Sequence, residues 1–164
     1  RVLGEEHPYT LLSAVILAAT LRELGRYEQA RRLAEDTLTR CRRVLGADHP
    51  YTLFSAVILA GILRELGRYE QARRLAEDTL THCRRVLGAD HSHTLRFAVI
   101  LAGILWELGR YERARRLAED TLTHCRRVLG ADHPHTLRFA HRLAVVLADG
   151  DGPDQGHQLG RASM

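Results

Sequence analysis

Two apolar patterns alternate along the chain. In the first, apolar residues are nearly continuous, as in residues 14–21 (AVILAATL). In the second, they recur every three or four residues within a charged segment; these positions are Tyr27, Ala30, Ala34, Thr37, Leu38 and Cys41. The second pattern predicts an amphipathic helix, and the first predicts a helix that is buried on both sides. The sequence therefore predicts an all-α protein built from two kinds of helix.

The alternation has a period of 42 residues. Residues 24–38 return unchanged at 66–80, and at 108–122 with Arg113 in place of glutamine. A fixed period of this length predicts a solenoid, in which each unit buries its apolar face against its neighbours. Glycine and proline mark the helix ends. The predicted helices are 8–24, 26–45, 50–66, 68–87, 92–108, 110–129 and 134–148.

The predicted domain organisation is a single array over residues 1–148. It consists of repeats 1–42, 43–84 and 85–126 and a capping half-repeat, 127–148. The cap is inferred from His141 and Arg142, which replace Val99 and Ile100 of the preceding repeat, because a terminal repeat needs a polar outer face. Residues 149–164 have no apolar period and are predicted to be disordered. Because residues 1–3 match 43–45, the last turn of a second helix, we expect further sequence upstream.

The spacing of Gly25, Tyr27 and Ala30, after a helix rich in alanine and leucine, resembles the tetratricopeptide repeat. The linker 43–50 (RVLGADHP) resembles the 42-residue variety of kinesin light chains and of bacterial signalling proteins of actinobacterial type. The resemblance covers residues 1–148. It implies a right-handed α-solenoid of seven helices in about 3.5 repeats, with a concave groove lined by the first helix of each repeat.

Variation among the repeats is concentrated in the first helix. The first three repeats differ at 11 of 42 positions, and seven of these lie in the first helix, whereas only two lie in the second. The resemblance implies that a stripe on the first helix lines the groove; drift in packing after duplication is the alternative. The implied partner-binding residues are Leu12, Val15, Ile16, Arg22, Phe54, Val57, Ile58, Arg64, Arg96, Val99, Ile100, Trp106, Arg138 and His141.

The groove departs from related repeats at the middle of the first helix. Where related repeats commonly carry an asparagine that holds a peptide backbone, this chain has valine and isoleucine, as at Val15 and Ile16. An extended peptide held by side-chain amides is therefore not expected. The apolar first helix instead favours a helical or amphipathic protein partner, or another copy of the array.

The net charge of +4 and the pI near 9.3 permit an acidic partner. All 24 basic residues are arginine, which indicates a GC-rich bacterial genome or a designed consensus array. Nucleic-acid binding through Arg42, Arg43, Arg84, Arg85, Arg126 and Arg127 is disfavoured, because no aromatic residues interleave with them to stack on bases. The chain has no run of 18 apolar residues, so it is predicted to be cytoplasmic and to contact no membrane.

No catalytic motif or phosphate-binding loop is present, so no enzymatic activity and no cofactor are predicted. Histidine pairs such as His91 with His93 lack the spacing of convergent metal ligands. Cys41, Cys83 and Cys125 occupy one repeat position and are predicted to be core thiols in a reducing compartment. Asp48, Asp90 and Asp132 precede helix starts, where helix capping is expected.

The leading hypothesis is a protein-interaction scaffold within a larger bacterial signalling protein, whose concave groove binds a partner with an apolar or amphipathic face. The alternative is a self-assembling, homo-oligomeric repeat array, natural or engineered. Nucleic-acid binding through the arginines is the third hypothesis.

Overall fold

A computed structural model describes residues 3–149, which form seven α-helices joined by short loops. The helices are α1 (Pro8–Glu23), α2 (Tyr27–Val44), α3 (Pro50–Glu65), α4 (Tyr69–Val86), α5 (Ser92–Glu107), α6 (Tyr111–Leu129) and α7 (Pro134–Asp149). Every predicted helix end lies within one residue of the observed end. The predicted disorder of the tail concerns residues that, from position 150 onward, lie outside the described part of the chain.

The first helix of each repeat ends at a glycine. Gly25 has φ 76°, a conformation that glycine adopts without steric cost. The Arg26 N–H donates to the Leu21 carbonyl at 2.9 Å, and the Gly25 N–H donates to the Arg22 carbonyl at 3.0 Å. This is the Schellman pattern, which satisfies carbonyls that the helix end would leave unpaired. It turns the chain back within three residues, so the second helix packs antiparallel to the first.

The first helices begin at histidines, which corrects the expected capping role of Asp48, Asp90 and Asp132. The Nδ1 atom of His49 accepts a hydrogen bond from the Tyr51 N–H at 3.0 Å, and His7, His91 and His133 cap in the same way. The physical reason is position, because the histidine directly precedes the helix and each aspartate lies one residue further back.

The aspartates instead tie each inter-repeat loop to the following second helix. The Asp48 Oδ1 lies 2.8 Å from both His82 Nδ1 and Arg85 Nη2. Asp90 makes the equivalent contacts with His124 and Arg127 one repeat later. The hydrogen bonds from His82 and Arg85 hold the pKa of Asp48 below its ordinary value. This carboxylate is therefore ionised throughout the neutral range.

The core runs along the seams between helices. Alanines of the second helices, such as Ala30 and Ala34, are fully buried and let the paired helices approach closely. The three cysteines are free and buried, and burial raises the pKa of the Cys83 thiol to about 11. These thiols therefore remain protonated. Within residues 3–149, no helix has both the length and the apolar character needed to cross a membrane.

Candidate functional site

The first helices of successive repeats contact one another along the array. Helix α1 packs on α3, and α3 packs on α5, in addition to the contacts that each makes with its own second helix. The second helices make no comparable contact with one another. In a curved stack the inner row is the more tightly packed one, so the face shared by α1, α3, α5 and α7 is the candidate groove.

Helix α3 shows which side of a first helix faces the groove, because it is buried almost all round. The residues that stay at least partly exposed along one side are Tyr51, Phe54, Ile58 and Glu65, with Gly61 between them. Their spacing of three, seven and fourteen residues from Tyr51 places them on one helix face. We call the equivalent residues of all four first helices the groove stripe.

Half of the predicted partner-binding residues lie in the groove stripe. They are Leu12, Ile16, Phe54, Ile58, Arg96, Ile100 and Arg138, and all are at least partly exposed. The sequence interpretation did not include the two ends of the stripe, where the residues are Tyr9, Tyr51, His93 and His135 at one end and Glu23, Glu65 and Glu107 at the other. The first set could have been found from its variation between tyrosine and histidine among the repeats. The glutamates do not vary, so the sequence contained no such signal for them.

The neighbouring valine column points into the protein. Val15 is 1% exposed and Val57 is 7% exposed. Val99 is half-buried and packs in a cluster with Leu122 of α6 and Phe139 of α7. This column therefore faces the adjacent helices, while the isoleucine that follows it faces the groove. The fourth member, His141, is exposed on α7.

The last predicted column lies over the seams between first helices. The Arg22 and Arg64 guanidinium groups rest on Gly61 and Gly103 of the following repeat. The space above Gly103 is thus filled by an arginine. Trp106, the third member, packs against the main core and meets the Tyr111 ring edge-on at 4.4 Å.

The groove stripe changes character along the array. Apart from the glutamates at one end, its first half is apolar and aromatic, and its second half is rich in arginine and histidine. The residues of α1 and α3 are Tyr9, Leu12, Ile16, Tyr51, Phe54 and Ile58, and those of α5 and α7 are His93, Arg96, Ile100, His135, Arg138 and Arg142. Burial, together with the charges of His91 and Arg96, lowers the pKa of His93. His93 is therefore neutral at pH 7 and presents a ring 6.4 Å from that of Phe54.

The other candidate surfaces are less favourable. Arg43, Arg85 and Arg127 of the predicted arginine ladder each pair with a carboxylate, on Glu6, Asp48 and Asp90 respectively. A hollow of about 180 Å³ between Arg84, Leu95 and His124 is smaller than the roughly 300–1,000 Å³ typical of small-molecule sites. Within the described residues, no three histidine, cysteine or acidic side chains are grouped to hold a metal ion.

Comparison with known proteins identifies close similarity to one repeat family. The family model described as tetratricopeptide repeat matches residues 9–85, 55–123 and 94–155. No curated protein matches the sequence.

Solved structures give the same result. The chain superposes with a TM-score of 0.76 on the nearly identical TPR-like repeats of a Podosopora anserina protein assigned as a kinesin light chain, at 25% identity, covering 98% of this chain and 76% of that one. A variant of those repeats gives a TM-score of 0.79 at the same identity and coverage. The BtubC (BKLC) protein of P. vanneervenii shares the fold with a TM-score of 0.75 at 19% identity, covering 87% of this chain and 58% of that one.

Proposed function

The chain belongs to the tetratricopeptide repeat family, with kinesin-light-chain-like repeats, and on that premise we propose that its groove stripe binds a protein segment with an apolar face. Repeats of this family mediate protein–protein interaction and act as non-catalytic scaffolds. The predicted family and all-α solenoid fold are confirmed. The proposal concerns the chemical character of the partner and the residues that contact it.

The proposal rests on the change from apolar residues to arginines along the groove stripe. Phe54, Ile58 and Tyr51 offer partly exposed apolar surface at the centre of the array, where a partner could bury it. Arg96, Arg138 and Arg142 follow in the same stripe, and no carboxylate within the described residues pairs with them at ion-pair distance. A bound segment would therefore place apolar side chains over α1 and α3 and acidic side chains over α5 and α7.

A peptide-display selection on the array tests this orientation. We expect the selected peptides to carry apolar residues at one end and acidic residues at the other. They should lose binding to an Ile58→Glu variant, because a charge would then be buried against the peptide. The matched control is Gln71→Glu, which adds the same charge on an exposed position of α4. Peptides that bind parent, groove variant and control equally would contradict the proposal.

Self-association is the second candidate function, and one observation favours it. Leu17 is 51% exposed on α1, whereas the equivalent Leu59 and Leu101 are buried against a preceding repeat. Ile16 and Leu24 are also exposed on α1. Light scattering over a concentration series tests whether copies associate, and Leu17→Glu should abolish any association that uses this face. A constant monomer mass would remove this candidate.

We also propose that the array is part of a larger cytoplasmic signalling protein of bacteria. The arginine-only basic composition and the linker 43–50 support this context. The full-length reading frame tests it, because a signalling domain on the same polypeptide is expected.

A further inference from the structure

Two arginines of the array are seated flat on glycines of the following repeat. A Cβ added to Gly61 would lie 2.7 Å from Nη1 and 2.8 Å from Cζ of Arg22. A Cβ added to Gly103 would lie 2.8–2.9 Å from Cζ, Nη1 and Nη2 of Arg64. Because all three atoms of the Arg64 group are nearly equidistant from that point, its plane faces the helix backbone. Its N–H edges are therefore directed along the surface and away from the glycine.

Glycine at these two helical positions lowers helix stability, so its presence there indicates a role in packing. Glycine inside a helix destabilises it by roughly 0.5–1 kcal/mol relative to alanine. Position 19 of the first repeat carries alanine instead. Glycine thus occurs in this column where a guanidinium covers it, and it gives way to Val145 in α7, where Trp106 replaces the arginine.

The two seated arginines differ in their partners. Arg22 Nη2 lies 3.4 Å from Glu65 Oε1, so its charge is balanced within the array. Arg64 is half-buried, and among the described residues it makes no hydrogen bond, while no carboxylate oxygen lies within 4.0 Å of it. Glu107 stands at the position equivalent to Glu65 but is beyond this distance. The Arg64 nitrogens are not among the enclosed polar atoms, so they remain accessible.

We propose that the Arg64 guanidinium, held on Gly103 beside the groove stripe, receives one carboxylate of the bound protein segment. This inference rests on the proposed function and adds the residue that selects an acidic side chain. A planar guanidinium binds a carboxylate through two parallel hydrogen bonds. A partly desolvated cation without a partner is unfavourable, so an arriving carboxylate gains more there than at a fully exposed arginine. Arg22 cannot serve in this way, because Glu65 already occupies it.

Paired synthetic peptides test the proposal. The probes are fluorescein-labelled amphipathic helices of about five turns. Each has one leucine face and a single glutamate at one of several positions, and each has a twin with glutamine instead. Fluorescence anisotropy measures their dissociation constants. We expect one glutamate position to bind the parent about tenfold or more tightly than its glutamine twin, the size of a hydrogen bond to a charged group.

Three variants locate that preference. Arg64→Gln should reduce the ratio to within about twofold while leaving the affinity of the glutamine twin unchanged, because only the charged contact is lost. Gly103→Ala should also reduce it, since the added methyl group displaces the guanidinium. Arg22→Gln is the matched control and should retain the full preference. Circular dichroism of each variant confirms that it is folded.

The possible outcomes distinguish a failure of the Arg64 contact from a failure of the groove as a binding site. A preference that survives Arg64→Gln, or that is lost equally in Arg22→Gln, would overturn the role of Arg64 and leave the groove intact. Absence of any preference at every glutamate position would do the same. Failure of all the peptides to bind, or binding that is unchanged by Ile58→Glu, would overturn the groove as a binding site and this inference with it.

Discussion

Helices α1 and α3 have almost the same sequence and very different surroundings. They are identical at 13 of 16 positions, yet α1 contains three buried residues and α3 contains ten. The clearest difference in sequence agrees with this. Thr20 of α1 is exposed and donates to the Ile16 carbonyl at 2.9 Å, whereas the equivalent Ile62 of α3 is fully buried.

This comparison shows that the position of a repeat within the stack, more than its own sequence, decides what its residues contribute. An interior first helix is covered by its own second helix and by the preceding repeat. Among the described residues, helix α1 packs on α2 and α3. The stability of a repeat protein is approximately the sum of the stabilities of its repeats and of the interfaces between neighbours. Identical residues in α1 and α3 therefore contribute different amounts to the free energy of unfolding.

The largest expected difference is between Leu59→Ala and Leu17→Ala. Leu59 is 6% exposed, so its truncation leaves a cavity and should lower the free energy of unfolding by about 2–5 kcal/mol. Leu17 is half exposed, and its truncation should cost about 1 kcal/mol or less. Urea unfolding followed by circular dichroism measures both. Equal losses would show that the exposed face of α1 is covered in solution.

The second comparison is between equivalent residues at successive seams. Arg22 and Arg64 lie at the interior seams, and Trp106 takes their place at the last seam. Trp106 packs against the core and Tyr111, so Trp106→Ala should lower the free energy of unfolding by about 1–3 kcal/mol. Arg64→Ala, on the interior seam, should cost less than about 1 kcal/mol, since it makes no ion pair among the described residues. The same urea titrations measure both variants. A loss below about 0.5 kcal/mol for Trp106→Ala would place its indole outside the core.

A smaller effect on stability is expected where an arginine packs on a glycine. Gly61→Ala should change the free energy of unfolding by less than about 1 kcal/mol, because improved helix propensity offsets the displaced guanidinium. Ala19→Gly in α1 should destabilise by up to about 1 kcal/mol, since glycine has the lower helix propensity. Thermal and urea unfolding of the two variants test this. A loss above about 2 kcal/mol in Gly61→Ala would mean that the arginine seat is a rigid structural contact.

The smallest effect concerns the acid dependence of stability. Because the pKa of Asp48 is lowered in the folded state, its contribution is present above the unfolded value of about 3.9 and is lost as pH falls through the folded value. Asp48→Asn should therefore reduce the loss of stability below about pH 4. Asp132→Asn is the control, since Asp132 makes no ion pair within the described residues. Urea midpoints from pH 7 to pH 3 measure the difference, and parallel curves for parent and Asp48→Asn would contradict it.

The sequence alone predicted the helix boundaries to within one residue, since the signals that set them are local. Gly25 ends α1 through hydrogen bonds to its own last turn, and Pro8 opens the same helix. The capping assignment failed because Asp48 and His49 are adjacent candidates and both types of side chain can accept a hydrogen bond. Only the fold showed that the aspartate has better partners on α4.

The groove was only partly predictable. Val15 and Ile16 are neighbours on a helix that is apolar all round, so no polar face indicates which of them is buried. Helix α2 and the next repeat decide this, since they cover Val15 and leave Ile16 half exposed. The same holds for Arg64, whose position on Gly103 joins residues that are 39 positions apart and belong to different repeats. Periodicity and turn chemistry thus determined the helices and their order, because both act within a few residues. The burial of each face was decided by contacts between repeats, which exist only once the helices stack.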